Sequence, residues 1–263
     1  YYGFVQPIRE SRDKLITSNI ILIEDCAQAL YKYSSENSIK QGEGDILFFS
    51  FPKFLPVPDG SLFIFNNNSL FKKGIKYKYS FLNKVALINH RLYLKLKRYQ
   101  IKFPKCFHAF GISILLKGLY FIYYKALCAK RNPNQISNYS YKLIKHFNFY
   151  SAIKRRKENI SLLNNYMTQV KQKRLNRNYK TAVFTGYPII VKNQQEFKKY
   201  LKKQDIESIV YNKYWFYHGE QNGNLFKNEI YIRNHVILLP VNETNSINKI
   251  KILINKLNHY NKL

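Results

Sequence analysis

The sequence predicts an α/β layered domain followed by a smaller α+β module, on three observations. Short apolar runs (Ile20 to Ile23, Ile46 to Phe49, Leu62 to Phe65) alternate with segments of helical period, the texture of strands layered with helices. The first run leads through Glu24 to Asp25 and the second ends next to Ser50, at strand exits where open α/β sheets present their ligands. Past residue 173 the texture changes to shorter strands and helices that close on an amphipathic helix.

Each element has a local reason. Pro7 to Thr17 reads as a helix, with proline in its first turn and Ile8, Leu15 and Ile16 among charges. Ile20 to Ile23, a continuous β-branched run, predicts a buried strand of a parallel sheet. Ala27 to Tyr33 should begin a helix, and Ile46 to Ser50 and Leu62 to Phe65 are strands, the latter after the turn signal Pro58-Asp59-Gly60. Tyr77 to Arg131 is helical and basic, with no recognisable chemistry. Ser137 to Lys173 is one long helix or two, passing through the charged run Lys154 to Glu158. Then come a strand at Gly186 to Lys192, a helix at Gln194 to Lys203, and strands at Ser208 to Tyr211 and His235 to Leu239. A last helix, Ser246 to Asn258, carries Ile247, Ile250, Leu253, Ile254 and Leu257 on one face.

Charge is the most conspicuous bulk property: 44 Lys and Arg against 15 Asp and Glu, a net +29. Such an excess fits a nucleic-acid or anionic-surface partner. However, Lys, Asn, Ile, Tyr and Phe are over-used together and share A/T-rich codons, and the basic residues are scattered rather than gathered in one block. We therefore expect no nucleic-acid partner. Three cysteines, Cys26, Cys106 and Cys128, form neither a disulfide framework nor a zinc motif and suit a reducing, cytoplasmic setting. The six histidines show no metal-ligand spacing, so no metal is expected. Phe107 to Ala129 is the most apolar segment, but Lys117 and Lys125 interrupt it. It reads as a buried or half-buried helix rather than a membrane span, and no membrane partner is expected. The chain opens at Tyr1 and has Met167 as its one methionine, so it reads as an incomplete chain.

Four residues at the strand exits can carry chemistry. Asp25 could pair with a protonated pyridine nitrogen and keep the ring an electron sink, or simply cap a helix. Gln28 could contact the same ring, or face solvent. Ser50 could bind phosphate oxygens with backbone N–H groups nearby, or serve turn geometry. Lys53 could act as nucleophile and proton shuttle, or be one more surface lysine. Its constrained company of Pro52, Pro56, Pro58 and Asp59-Gly60 favours a positioned side chain. The aromatic cluster Tyr211, Tyr214, Trp215, Tyr217 and His218 could line a sugar pocket, but packing is the simpler account.

The segments IEDCAQA, GDILFFSF with a following lysine, and the Asp59-Gly60 before a strand resemble the DegT/DnrJ/EryC1/StrS family of pyridoxal-phosphate-dependent sugar aminotransferases. YYGFVQPI, YSAIKRRKENISLL, YPIIVKNQQEFKKYLKKQDIES and RNHVILLPVNETNSINKIKILINKL are similar to family segments in the same order, with residues 77–134 weakly matched. The resemblance implies a partial fold-type-I large domain, a mainly parallel sheet with helices, over residues 1–135, and a connecting helix with a C-terminal small domain over 136–263. It implies pyridoxal 5'-phosphate as cofactor. Asp25 would hold the pyridine nitrogen, Gln28 the ring, Ser50 the phosphate, and Lys53 would bond the cofactor covalently. A nucleotide-linked keto-sugar, an amino-acid donor and a homodimer are the implied partners, in amino-sugar or polysaccharide biosynthesis. Three departures stand out: Lys53 follows Ser50 by three residues where most members have five, the glycine pair is Gly60-Ser61, and the family's N-terminal portion is missing. An inactive remnant of the family and a basic nucleic-acid-binding protein are the alternative readings.

Overall fold

The computed structural model describes residues 3, 20–29, 42–70, 81–102, 112–128, 135–170, 185–210 and 226–260. In chain order its elements are β1 (Ile23–Asp25), β2 (Ile46–Ser50), β3 (Ser61–Phe65), α1 (Phe81–Lys102), α2 (Ile112–Cys128), α3 (Asn138–Lys145), α4 (Phe149–Gln169), β4 (Tyr187–Ile190), α5 (Gln194–Lys203), α6 (Lys227–His235), β5 (Val236–Leu239) and α7 (Ile247–Asn258). Single 3-10 turns occupy Phe51–Lys53 and Asn68–Leu70. The expected helix at 7–17 and the aromatic cluster at 211–218 lie outside the described residues.

Two units emerge, Asp45–Phe147 on one hand and Tyr1–Gly44 with Asn148–Leu263 on the other. The sequence reading instead divides the chain once, at residue 135.

In the Asp45–Phe147 unit, β2 and β3 form an antiparallel hairpin in the register Ile46↔Phe65 through Ser50↔Ser61. A direct chain reversal requires that sense; a parallel neighbour would need a crossover of a dozen or more residues. Alternation buries Leu47 and Phe49 completely, while Phe48 meets Phe63 across the strands at 5.1 Å between ring centroids. Helices α1 and α2 pack on a seam of Val85, Ala86, Tyr123 and Ala126, whose alanines allow close approach. The Tyr123 hydroxyl donates to the Pro58 carbonyl at 2.6 Å, which fixes the seam to the loop after β2.

In the other unit, β4 and β5 pair antiparallel from Tyr187↔Leu239 to Ile190↔Val236. Helices α4, α5 and α7 build its core with Leu163, Met167, Phe197, Leu201, Leu253 and Leu257. Capping is thorough: Asn148, Asn193 and Ser246 each accept from the backbone N–H three residues on, an interaction worth about 1 kcal/mol per helix. Two inner anchors tie α4 to the loop after β5. Arg156 Nε donates to Glu243 Oε2 at 2.7 Å, and Asn159 Nδ2 reaches the carbonyls of Val241, Asn242 and Asn245 at 3.0–3.4 Å.

Several expectations need correction. The strand expected at 20–23 is Ile23–Asp25, and Ile20, Ile21 and Ile23 are each more than half exposed while Glu24 is buried. Side chains alternate along a strand, so Ile23 and Asp25 share one side and Glu24 takes the other. There its carboxylate accepts from the N–H groups of Glu43 (3.0 Å) and Gly44 (3.2 Å), which offsets its burial. The strand expected at 208–211 reduces, among the described residues, to one bridge between Ile209 and Leu238. Helix α6 carries no sequence signal, because its nine residues lack an apolar face and bury nothing.

Candidate active site

The loop from Ser50 to Gly60 is the best-held part of the candidate site. Ser50 ends β2, half-buried, and stands before the 3-10 turn without spending its hydroxyl on capping it. The turn that follows places Lys53 outward while Phe51, Phe54, Leu55 and Val57 point inward and are buried. Backbone bonds close it: Phe54 N and Leu55 N donate to Phe51 O at 2.9 and 2.8 Å, and Phe51 N to Gly60 O at 3.1 Å. The backbone that carries the exposed Lys53 side chain is thus held by four buried side chains.

The far end of the loop is anchored on α3. Asp59 Oδ2 accepts from Ser137 N at 3.0 Å, and Oδ1 from the Ser137 hydroxyl at 2.8 Å and from the Ser140 hydroxyl. Ser137 also caps α3, its Oγ accepting from Ser140 N at 3.1 Å. Gly60 has φ +117°, a backbone conformation that favours glycine, and an added Cβ would lie 2.7 Å from Ile136 Cδ1, the end of a side chain that would have to shift. Asp59-Gly60 is thus more than a turn signal. It fastens the lysine loop to the start of α3, whose cap Ser137 lies 78 residues beyond Asp59.

His90 of α1 belongs to the same neighbourhood. Its ring lies 4.9 Å from that of Tyr123, and its buried Nδ1 has no hydrogen-bond partner. Burial lowers its pKa below the ordinary 6.5, and the Asp59 carboxylate pulls it partly back.

Asp25 and Gln28 belong to the other unit. Asp25 closes β1, exposed, with Oδ1 accepting from Ala27 N at 2.9 Å, a local turn of the kind Asp favours. Ala29 N donates to Cys26 O at 2.9 Å, so the chain turns directly after the strand, with Cys26 and Ala27 buried beneath the half-buried Gln28. Residues 27–29 form a turn, and the remainder of the expected helix, 30–33, lies outside the described residues.

Taken one by one, the side chains suit the implied cofactor by their chemistry: a carboxylate for a pyridinium N–H, a hydroxyl free of capping duty for a phosphate, and a primary amine for an aldehyde. Sequence reasoning missed Ser137, Ser140, Tyr123, Arg156 and Asn159. One signal was readable: Arg156, Ile160, Leu163 and Met167 repeat at i, i+4, i+7 and i+11, which puts one arginine of a charged run on the buried face.

No protein-family model and no curated protein matches the sequence. Solved structures do. The DegT DnrJ EryC1 StrS aminotransferase of Brucella abortus is 15% identical with TM-score 0.56, over 98% of this chain and 62% of that one. The fold is that of these aminotransferases. A sugar aminotransferase from Micromonospora echinospora gives 11% identity and TM-score 0.54 over 98% of this chain and 65% of its own. DesV of S. venezuelae, solved in complex with a ketimine intermediate, gives 13% and 0.56 over 98% and 62%. The chain therefore spans 62–65% of the length of these neighbours.

Proposed function

We propose that this chain is part of a pyridoxal-phosphate-dependent aminotransferase that aminates a nucleotide-linked keto-sugar. In that reading residues 1–135 correspond to the latter part of the large domain, and 136–263 to the connecting helix and small domain. The observation that carries the proposal is the Ser50–Gly60 loop. It presents one lysine on a clamped turn next to an uncommitted serine hydroxyl, in a chain whose fold matches sugar aminotransferases along 98% of its length.

The roles follow from the chemistry of the side chains. Lys53 would bond the cofactor aldehyde, and, released by the incoming amino acid, its Nζ would take and return the donor's α-proton. Asp25 would hold the proton on the pyridine nitrogen, and Gln28 would orient the ring. Ser50 Oγ would donate to the phosphate. When bound, the cofactor supplies the electron sink that makes the α-carbon acidic. The protein would act as a homodimer in the cytoplasm, within amino-sugar or polysaccharide biosynthesis, and the net charge of +29 would draw in an anionic sugar nucleotide.

The test is direct. The intact protein is mixed with pyridoxal phosphate, reduced with borohydride and digested, and the modified lysine is located by mass spectrometry. Label on Lys53, absent from Lys53→Ala, is the expected result. Label on another lysine would overturn the residue assignment, and no visible absorbance change on adding cofactor would overturn the enzyme reading.

A further inference from the structure

Helix α2 is apolar on both faces but buries only one. Leu116, Leu119, Tyr123 and Ala126 point inward, whereas Ile114 (74% exposed), Leu115 (51%), Phe121 (59%) and Ile122 (46%) point out. Its outward stripe runs Ile114, Lys117, Phe121, Lys125, an apolar residue and a lysine in turn, with the Lys125 ammonium 5.5 Å from the centre of the Phe121 ring. Helix α1 repeats the pattern on its exposed side: Phe81, Lys84, Ile88, Leu92, Lys95, Tyr99. The spacing is that of one helix face.

Charge selects the partner. No Asp or Glu occurs anywhere between Asp59 and Glu158, so this helical pair carries cations without a single acidic side chain among them. A second copy of the same face would set lysine against lysine. Nucleic acid would accept the cations and the tyrosines, but isoleucine and leucine offer no plane for stacking bases. An anionic bilayer takes both at once: lysines at the phosphates, aliphatic and aromatic side chains among the upper acyl chains. Among the described residues no helix is long and apolar enough to cross a membrane, and a face that alternates lysine with apolar side chains suits a contact along the surface. We propose that the outer faces of α1 and α2 form a peripheral docking surface for an anionic lipid bilayer. The inference does not depend on the aminotransferase reading.

The whole chain is tested by flotation with vesicles of phosphatidylcholine alone and of phosphatidylcholine with an equal part of phosphatidylglycerol. Binding to the anionic vesicles that weakens as salt rises is expected. A lysine near an anionic surface contributes about five-fold in affinity, so Lys117→Gln with Lys125→Gln should lose about 25-fold. Both side chains are exposed, so the fold is expected to tolerate the change, and circular dichroism checks this. Phe121→Trp supplies a depth probe. Its emission should be quenched by lipids brominated in the acyl chain, beyond the background of the natural Trp215 measured in the parent. Failure to float with anionic vesicles, equal binding of the double lysine variant, or an unquenched tryptophan at 121 would each overturn the proposal. So would single-stranded RNA displacing the vesicles while Ile114→Asn with Phe121→Asn left RNA affinity unchanged.

Discussion

Helices α4 and α2 are both long, both cross a hydrophobic seam, and end up in opposite situations. In the unit that contains Asn148–Leu263, α4 buries Ile160, Leu163 and Met167 against α7 and the β4–β5 pair, and gives its inward polar groups partners in Glu243 and the carbonyls of 241, 242 and 245. In the Asp45–Phe147 unit, α2 is the more apolar of the two helices, yet most of its described apolar side chains, Ile114, Leu115, Phe121 and Ile122 among them, face outward. Hydrophobic content alone does not locate a core. What decides is whether an apolar face meets another one, and whether every polar group taken inside finds a partner.

The largest effects should come from breaking the closed side of this comparison. Arg156→Ala leaves Glu243 beside a buried, emptied site, and removing one member of a buried pair costs about 3–5 kcal/mol. Leu163→Ala, at a fully buried position, should cost about 2–5 kcal/mol. Phe121→Ala on the outer face of α2 is the counterpart and should change stability by less than about 0.5 kcal/mol. Urea titrations of the three variants check the ranking. A loss at Phe121 equal to that at Leu163 would mean that the outer face of α2 is packed within the chain after all.

Next in size is the anchor of the lysine loop. Asp59→Ala strips acceptors from Ser137 and Ser140, both fully buried, and an unsatisfied buried donor costs about 1–3 kcal/mol. Gly60→Ala meets Ile136 at 2.7 Å in a left-handed backbone conformation, for about 1–3 kcal/mol of strain. Amide hydrogen exchange separates the two models of this loop. Faster exchange at Phe51, Phe54 and Leu55 in Asp59→Ala shows that the anchor holds the lysine turn. Unchanged exchange there would mean that Asp59 serves only α3.

The physical asymmetry between local and long-range interactions explains what the sequence disclosed. Strand β2, helix α5 and helix α7 were legible to within a residue, because period, caps and turn residues are all local: Asn193 and Ser246 announce their helices. The places of Ser50 at a strand end and of Lys53 in the turn after it were legible for the same reason. The burial of Glu24 was not, since its acceptor role depends on N–H groups 19 and 20 residues away. Nor was the function of Asp59, whose partners lie 78 and 81 residues on. Aspartate before glycine reads as a turn in any sequence, and only the approach of Ser137 shows it to be an anchor. The isolated bridge at Ile209 errs in the other direction: among the described residues, a good local strand signal found just one residue to pair with.

The smallest effect concerns pH, and it again sets the Asp45–Phe147 unit apart. Burial holds the His90 imidazole below its ordinary pKa of 6.5, and Asp59 restores only part of the difference. The folded form therefore binds this proton less readily than the unfolded chain does. Above about pH 6.5 both are neutral and stability is unaffected; as pH falls through that value toward the lower folded pKa, the unfolded chain takes the proton first and stability declines. His90→Gln should flatten this part of the acid slope in urea titrations between about pH 8 and pH 5. Asp59→Asn removes the charge that favours the imidazolium, so the histidine-linked decline should deepen and extend to lower pH. The double variant resolves the anchor from the titration: if Asp59→Asn steepens the slope in the parent but not with His90→Gln, the steepening belongs to the histidine. An equal slope with and without His90 would remove the imidazole from the account and leave the acid response to the carboxylates.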